Sequence, residues 1–296
     1  MRIGLTGASG FLGREIIRQA VSQGDQILAY SRSPAKPVPG AMRTGLFGAG
    51  MPVNHLDTIL HLAGESLFGL WTKKRRTRIW QSRVEGTRTV VEALQRSPDR
   101  PQSLICASGI SIYGDRGEEE LTEESSIANS GFLRDVAAAW EFEAMRAASF
   151  GVRVVSIRIA MVLGRQGGAL SLMAPIFSIG LGGRLGSGRQ WIPWIHVEDV
   201  ARLFLHAARE ESIAGPVNGV SPSSVRNQDF TQTLGRVLRR PAFFAIPSLL
   251  LRTVLGDQAS LVLDSERAVP KRALETGFGF HFSRLEEALH DLLLRR

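Results

Sequence analysis

Apolar residues along this chain fall into two spacings, and the spacing locates its elements. Ile3 and Leu5 form a short apolar run, after which Leu12, Ile16, Ile17 and Ala20 recur at helical spacing. Gly7, Gly10 and Gly13 lie between the two patterns. The reading is a strand, a glycine turn and a helix start. Further strands are expected at 26–30, 57–63, 104–108, 152–159 and 215–220. Helical periodicity covers 82–94 and 132–148, and a helix should follow residues 191–200 to about Glu210. Strands that alternate with helices predict a doubly wound α/β fold, with a parallel sheet and right-handed crossovers.

After Leu163 the pattern changes. Glycine-rich loops at 167–169, 180–183 and 186–190 surround one apolar segment, 170–179. The rest of the chain reads as mostly helical. Asn227 is expected to cap one helix. Ser283 and Glu286 form a capping box for a last helix that turns Leu285, Ala288, Leu289 and Leu292 inward.

Composition narrows the class. The chain has 296 residues, 44% of them hydrophobic and 22% charged, as in ordinary globular proteins. A single cysteine, Cys106, excludes an intramolecular disulfide framework and fits a reducing compartment. No apolar run is long enough to span a bilayer. The chain enters its first strand at once, leaving no room for a leader, so a cytoplasmic protein is expected. The net charge of +8 is scattered, apart from Lys73, Lys74, Arg75, Arg76 and Arg78. That run reads as a solvated helix face or an anion-steering rim. No nucleic-acid module accompanies it, so neither nucleic acid nor membrane is expected as a partner.

The glycine triplet brings the first chemistry. Gly7 permits a turn that a Cβ would strain, Gly10 lets the backbone approach a pyrophosphate, and Gly13 lets the helix pack close to the strand. The amides and dipole of the new helix favour phosphate. In such dinucleotide sites the second strand ends about 20 residues past the glycines. A carboxylate there would accept from the ribose 2′-hydroxyl of NAD. This chain has Ser31 and Arg32 instead, with Lys36 near. A guanidinium pairs well with a 2′-phosphate, so NADP(H) is expected over NAD(H). Glu65 and Ser66 lie just past the strand at 57–63, where ligands collect in doubly wound sheets. His61 and Cys106, inside strands, read as core residues. The acidic loop 118–124 is expected to face solvent and is a candidate lid. No metal site is expected.

Several motifs then converge. The glycine triplet, H-L-A-G at 61–64, S-G-I-S-I-Y-G at 108–114 and W-I-H-V-E-D-V-A at 194–201 resemble extended short-chain dehydrogenases/reductases. More narrowly, the chain resembles the "epimerase family protein" group. The matching stretches are S-R-V-E-G-T at 82–87, W-E at 140–141, V-L-G-R-Q-G-G-A-L at 162–170 and L-G-G-R-L-G-S-G-R-Q at 181–190. G-D-Q-A at 256–259 and V-P-K-R at 269–272 resemble the C-terminal module of that group. The resemblance implies a Rossmann core over 1–164, segments alternating between core and substrate cleft over 165–240, and a helical module over 241–296. It implies that Gly7, Gly10, Phe11, Leu12 and Gly13 hold the pyrophosphate, and Ser31 and Arg32 the 2′-phosphate. Leu62, Ala63 and Gly64 would line the dinucleotide, and Ser108 would approach the nicotinamide ribose. Ala160, Met161 and Val162 would flank the ring. Glu65, Arg189 and Gln190 become candidates for the substrate, although Arg189 has an alternative in packing on Trp191.

The chain departs from that family in one place. The usual general acid is a tyrosine followed four residues later by a lysine, on one helix face. Counting back from Trp140-Glu141 places those two slots at Leu133 and Ala137. Ser108, Ser111, Tyr113 and Glu65 are the candidate replacements. Two readings stay open. One is an NADP(H)-dependent oxidoreductase or epimerase with a non-standard proton donor, acting on a carbonyl or carbinol of nucleotide-sugar type. The other is a non-catalytic NADP(H)-binding protein of regulatory or cell-division type, with a protein partner.

Overall fold

The computed structural model describes residues 1–294. The chain forms two compact units, each assembled from several segments. The first comprises Met1–Gly109, Asp135–Arg158 and Ala201–Val217. The second comprises Ile110–Arg134, Ile159–Val200 and the chain from Asn218 onward.

The first unit is built on a sheet of seven strands among the described residues. They are β1 (Arg2–Thr6), β2 (Gln26–Ser31), β3 (Arg43–Leu46), β4 (Thr58–His61), β5 (Ser103–Gly109), β6 (Arg153–Ile159) and β7 (Gly215–Gly219). Their order across the sheet is β7-β6-β5-β4-β1-β2-β3. β1 pairs in parallel with both β2 and β4, so Thr6 lies level with Tyr30 on one side and His61 on the other. The direction of strand succession reverses between β1 and β4, and this is the topological switch point of a doubly wound sheet. Every residue of β4 is buried, as expected of a strand covered on both faces. β3 is the one strand of this sheet that the apolar pattern missed. It is an edge strand of sequence R-T-G-L with no buried residue.

Helix α1 (Phe11–Ser22) turns Ile16, Ile17 and Ala20 inward at the expected spacing. Helix α2 runs over Lys73–Arg96 and so begins earlier than the periodicity at 82–94 implied. Its first turns hold the basic run, which has no apolar face to read. The Thr72 hydroxyl caps it by accepting the Arg75 amide. Helix α3 (Phe132–Met145) continues into a 3-10 turn that ends at Gly151, in the left-handed region with φ +85°.

The second unit combines α4 (Leu170–Ser178), α6 (Asn227–Leu238), α7 (Ser248–Leu255), α8 (Ser260–Leu263), α9 (Lys271–Glu275) and α10 (Leu285–Leu294) with short strand pairs. Helix α5 (Val197–Arg209) begins in this unit and ends in the first. Gly183–Leu185 pairs in parallel with Phe244–Ile246, and Trp194–His196 with Met161–Gly164. α10 buries Leu285, Ala288, Leu289 and Leu292, as its pattern predicted. It starts at Leu285, one residue beyond where the Ser283–Glu286 box would start it.

Two expectations are corrected here. Asn227 does not cap α6. Its Oδ1 accepts the Leu185 amide (2.8 Å) and so ties α6 to the strand Gly183–Leu185. The acidic loop is not an untethered lid. Glu118 pairs with Arg226 and accepts from the Trp191 indole, Glu120 pairs with Arg267, and Glu124 with Lys271. Glu123 is buried and accepts the amides of Asn218 and Arg272. Glu118, Glu119, Glu120 and Glu124 are exposed, as the sequence predicted, but three of them are tied to cations more than 100 residues away in sequence, while Glu119 pairs with Arg116.

One contact sets how closely α1 approaches the sheet. A Cβ on Gly13 would lie 2.3 Å from the Gly7 carbonyl oxygen and 2.8 Å from Ala8 Cα. Those atoms are backbone and cannot swing aside. Gly13→Ala is therefore expected to cost about 1–3 kcal/mol of stability by overpacking. Gly48→Ala, where a Cβ would meet nothing within 4 Å, should stay within about 0.5 kcal/mol of the parent. Chemical denaturation of both variants checks the difference; equal midpoints would refute it.

Candidate functional site at the β1–β4 switch point

The carboxyl ends of β1 and β4 meet without side chains between them. Gly7 takes φ +71°, and a Cβ there would sit 2.9 Å from the Leu62 carbonyl carbon and 3.0 Å from the Ala63 nitrogen. Both the left-handed backbone and the close approach require glycine. The Gly10 amide donates to the Gly7 carbonyl (2.9 Å), which closes the turn. Gly10 is also the N-cap residue of α1. No side chain caps this helix, and its first turn holds no acid. The amides of Phe11, Leu12 and Gly13 thus stand at a positive helix end, with a backbone cradle that a Cβ would fill. That geometry fits a pyrophosphate.

The cradle rests on a hydrogen-bonded chain buried beneath it. The Thr6 hydroxyl accepts the amides of Leu62 (3.1 Å) and Ala63 (3.2 Å) and lies 2.7 Å from His61 Nδ1. His61 Nε2 lies 3.1 Å from the Thr87 hydroxyl, which donates to the Arg83 carbonyl (2.6 Å). These roles fit together in one way. Thr6 donates to Nδ1, and Nε2–H donates to Thr87. The ring is neutral, and burial pulls its pKa down to about 4. His61 is the core residue the sequence predicted, and it also fixes the backbone that faces Gly7.

At the end of β2, the Ser31 hydroxyl accepts the Ser33 amide (3.0 Å), and Arg32 is exposed beside it. No carboxylate occupies Ser31, Arg32 or Ser33. This end of the strand suits a phosphate and offers a ribose diol no carboxylate to donate to.

Past β4, Gly64 lies against a guanidinium. A Cβ at Gly64 would be 3.2 Å from Arg83 Cζ. Arg83 donates to the Glu65 carbonyl (2.9 Å) and stacks over Trp140, 5.2 Å from the ring centroid. Burial pulls its pKa down to about 10, with Glu65 opposing. The Glu65 carboxylate also faces Arg75 (3.9 Å) and Arg78 (4.0 Å). The basic run therefore supplies one residue, Arg75, that wraps the loop by donating to the Ser66 and Phe68 carbonyls.

The last group lies at the end of β5. The Ser108 hydroxyl donates to Glu141 Oε1 (2.7 Å). Arg158 grips the same carboxylate with Nε on Oε1 (2.9 Å) and Nη2 on Oε2 (2.8 Å). Neither Glu141 nor Arg158 was a sequence candidate. The W-E pair was visible as a motif only. A signal existed at Arg158, since a charge inside the apolar strand V-V-S-I-R-I must have a partner.

The remaining candidates belong to the second unit. Ser111 lies in a 3-10 turn, Ile110–Ile112, half-buried. Tyr113 is fully buried (0% exposed), and its hydroxyl lies 2.8 Å from the Thr122 carbonyl and 2.9 Å from Asn218 Oδ1. It is a packed tyrosine, and the expectation of a proton donor there is corrected. Gln190 is also structural. Its amide nitrogen donates to the carbonyls of Leu185 (3.0 Å) and Val262 (2.9 Å). Arg189 is exposed, and the cations over Trp191 are Arg226 and Arg267. Ala160 donates its amide to the Gly219 carbonyl, while Met161 and Val162 pair with Trp194 and Ile195. His196 is buried, stacks on Phe282 at 3.9 Å and accepts the Glu198 amide. Leu133 and Ala137, in the positions of the missing tyrosine and lysine, are both buried.

The chain is similar to known proteins along its whole length. Residues 3–218 match the model of the NAD dependent epimerase/dehydratase family, and 246–292 match a domain of unknown function, DUF1731. Epimerase family protein YfhF of Bacillus subtilis is 36% identical over 100% of this chain and 99% of its own length. The solved structure of human epimerase family protein SDR39U1 (isoform 2) with NADPH superposes with a TM-score of 0.91 at 33% identity, covering 99% of each chain. A nucleoside-diphosphate sugar epimerase from Corynebacterium glutamicum gives a TM-score of 0.81 at 28% identity over 99% of this chain and 58% of its own.

The neutral His61 predicts a pH dependence. Its folded pKa lies below the usual 6.5, so its contribution is full above that value and lost as pH falls toward 4. Between pH 7 and pH 5 the parent should lose about 2 kcal/mol more than His61→Leu. Urea denaturation at the two pH values measures it, and parallel losses would remove the buried neutral ring from the account.

Proposed function

The chain belongs to the NAD dependent epimerase/dehydratase family, and from that premise we propose that its first unit binds NADP(H) and serves oxidoreduction or epimerisation at a carbonyl or carbinol carbon. The supporting observation is the pairing of an uncapped α1 terminus with an acid-free end of β2. The amides of Phe11, Leu12 and Gly13 would hold the pyrophosphate, and Arg32 with Ser31 the 2′-phosphate. Leu62, Ala63 and Gly64 would lie along the dinucleotide. The human relative solved with NADPH supports the same choice of cofactor.

When bound, the nicotinamide supplies or takes a hydride at its C4 carbon. The proton is then the task of this chain's own residues. Ser108 already gives its hydrogen to Glu141, which leaves the Ser108 oxygen able to accept from a substrate hydroxyl. As that proton arrives on Ser108, its own moves to Glu141. In the reverse direction the path returns it. Arg158 holds the carboxylate in line and balances its charge. A positioned acid–base pair contributes about 10²–10⁴ in rate, and this relay would supply what Leu133 and Ala137 cannot.

A second reading has its own observation. The tyrosine and lysine positions are filled by buried apolar side chains, and Tyr113 is spent on Thr122 and Asn218. A protein that binds NADP(H) and presents a cofactor-dependent surface to a partner would need no proton path.

One experiment tests the cofactor assignment that both readings share, and a second divides them. Arg32→Ala should weaken NADPH binding by about 1–3 kcal/mol and leave NADH nearly unchanged. Equal losses would reject the 2′-phosphate assignment. Deuterium transfer from 4-deutero-NADPH into a cell-metabolite extract tests the chemistry. Label should enter one product with the parent protein, and Ser108→Ala should bind NADPH normally while losing transfer by about 10²–10⁴. NADPH binding with no label in any product would exclude net reduction and leave the second reading or an epimerase that returns its hydride internally.

A further inference from the structure

Residues 165–189 and 236–256, both in the second unit, contain seven arginines and no acidic residue. The two stretches meet through the parallel pairing of Gly183–Leu185 with Phe244–Ile246, and the Gly186 amide donates to the Ile246 carbonyl (2.8 Å). A Cβ at Gly186 would lie 3.5 Å from the Ser248 side chain, which opens α7. The stretches therefore form one continuous surface. Arg184, Arg239, Arg240 and Arg252 are exposed on it.

The same surface is apolar. Ile179, Phe243 and Leu249 are 71%, 74% and 76% exposed. Ile176, Leu181 and Val254 are exposed as well. α7, of sequence S-L-L-L-R-T-V-L, has no buried residue. Large apolar side chains exposed together mark an interaction site.

We propose that this face of the second unit docks onto a bilayer surface that carries anionic phospholipid headgroups. The apolar side chains would enter the headgroup boundary, and the arginines would meet phosphates. This departs from the expectation of no membrane partner, which rested on the lack of a spanning segment. No helix among the described residues is long and apolar enough to cross a membrane, but a docked surface needs none.

Charge decides between occupants. A surface with an excess of arginine complements an anionic bilayer, at a gain of roughly five-fold in affinity per arginine near the surface. A second copy across a two-fold axis would set arginines against arginines. Asp257, exposed just past α7, and Glu286, which pairs with Arg236 (3.2 Å), offset part of this charge and leave an excess of arginine. Asp264 is half-buried, and burial and Asp115 push its pKa up to about 6. At more than 70% exposure the apolar side chains project, which suits insertion between headgroups better than capture of a peptide in a groove. The adjacent Phe243 and Phe244 rings, 4.7 Å apart, are of the type that anchors at a membrane interface.

The test is vesicle co-sedimentation of the full chain. Vesicles of phosphatidylcholine alone are compared with vesicles that also contain phosphatidylglycerol, at low and high salt. Binding is expected to the anionic vesicles and to weaken with salt. Arg239→Asn with Arg240→Gln should lower the partition roughly thirty-fold; asparagine suits the left-handed backbone of Arg239 (φ 54°). Phe243→Ser with Leu249→Ser should also abolish sedimentation, and circular dichroism should show both variants folded. No binding to either vesicle would overturn the proposal, as would binding that survives both pairs. Sedimentation velocity supplies the rival outcome: a dimer that Phe243→Ser dissociates would make a second copy the occupant.

Discussion

The first unit depends on one place where three stretches of backbone come too close for any side chain. Gly7, Gly13 and the Leu62–Ala63 peptide occupy the switch point between β1 and β4, with a virtual Cβ at Gly13 only 2.3 Å from the Gly7 oxygen. The sheet order reverses there, so the carboxyl ends of two central strands and the start of α1 share one crevice. Peptide groups crowded together in this way need their hydrogen bonds satisfied. Thr6 serves Leu62 and Ala63 while a neutral His61 serves Thr6. The polar floor is buried and its groups are paired, while no side chain caps the amides at the top of α1.

Charge inside this unit follows the same logic. Arg158 sits in a buried strand because Glu141 takes both ends of its guanidinium fork, and the leftover acceptor capacity of Glu141 goes to Ser108. Arg83 is kept charged under Gly64 by a carbonyl, a carboxylate and an indole face. Each buried cation is answered by a partner, and each answer places a polar atom at the carboxyl edge of the sheet. Breaking such a pair leaves an uncompensated charge, so these residues respond to substitution far more than surface ion pairs do.

Much of the fold was legible because it obeys periodicity. The buried strands β1, β4, β5 and β6 and helices α1 and α10 show their spacing directly. What escaped had no apolar signal. β3 is exposed R-T-G-L, and the first turns of α2 are lysine and arginine. Long-range polar partners were also illegible. Asn227 had the right type and place for a cap, yet its side chain serves Leu185. Most of the acids at 118–124 are exposed as read, but their ties to Arg226, Arg267 and Lys271 come from distant segments and left no local sign. At the site, the glycines and Arg32 could be found from spacing. The Ser108–Glu141–Arg158 group could not, since its three members come from two strands and a helix and meet only in the folded chain.

We propose that the uncapped, side-chain-free crevice at the β1–β4 switch point binds the phosphates of NADP(H). Calorimetric titration of NADPH into the parent chain and into Gly10→Val tests it most directly. A Cβ at Gly10 would already lie 3.0 Å from the Gly7 oxygen, and valine adds bulk where the pyrophosphate must approach. Stoichiometric binding is expected from the parent, and none from a variant whose circular dichroism shows it folded. Binding by both proteins would place the cofactor elsewhere, and binding by neither would contradict the claim.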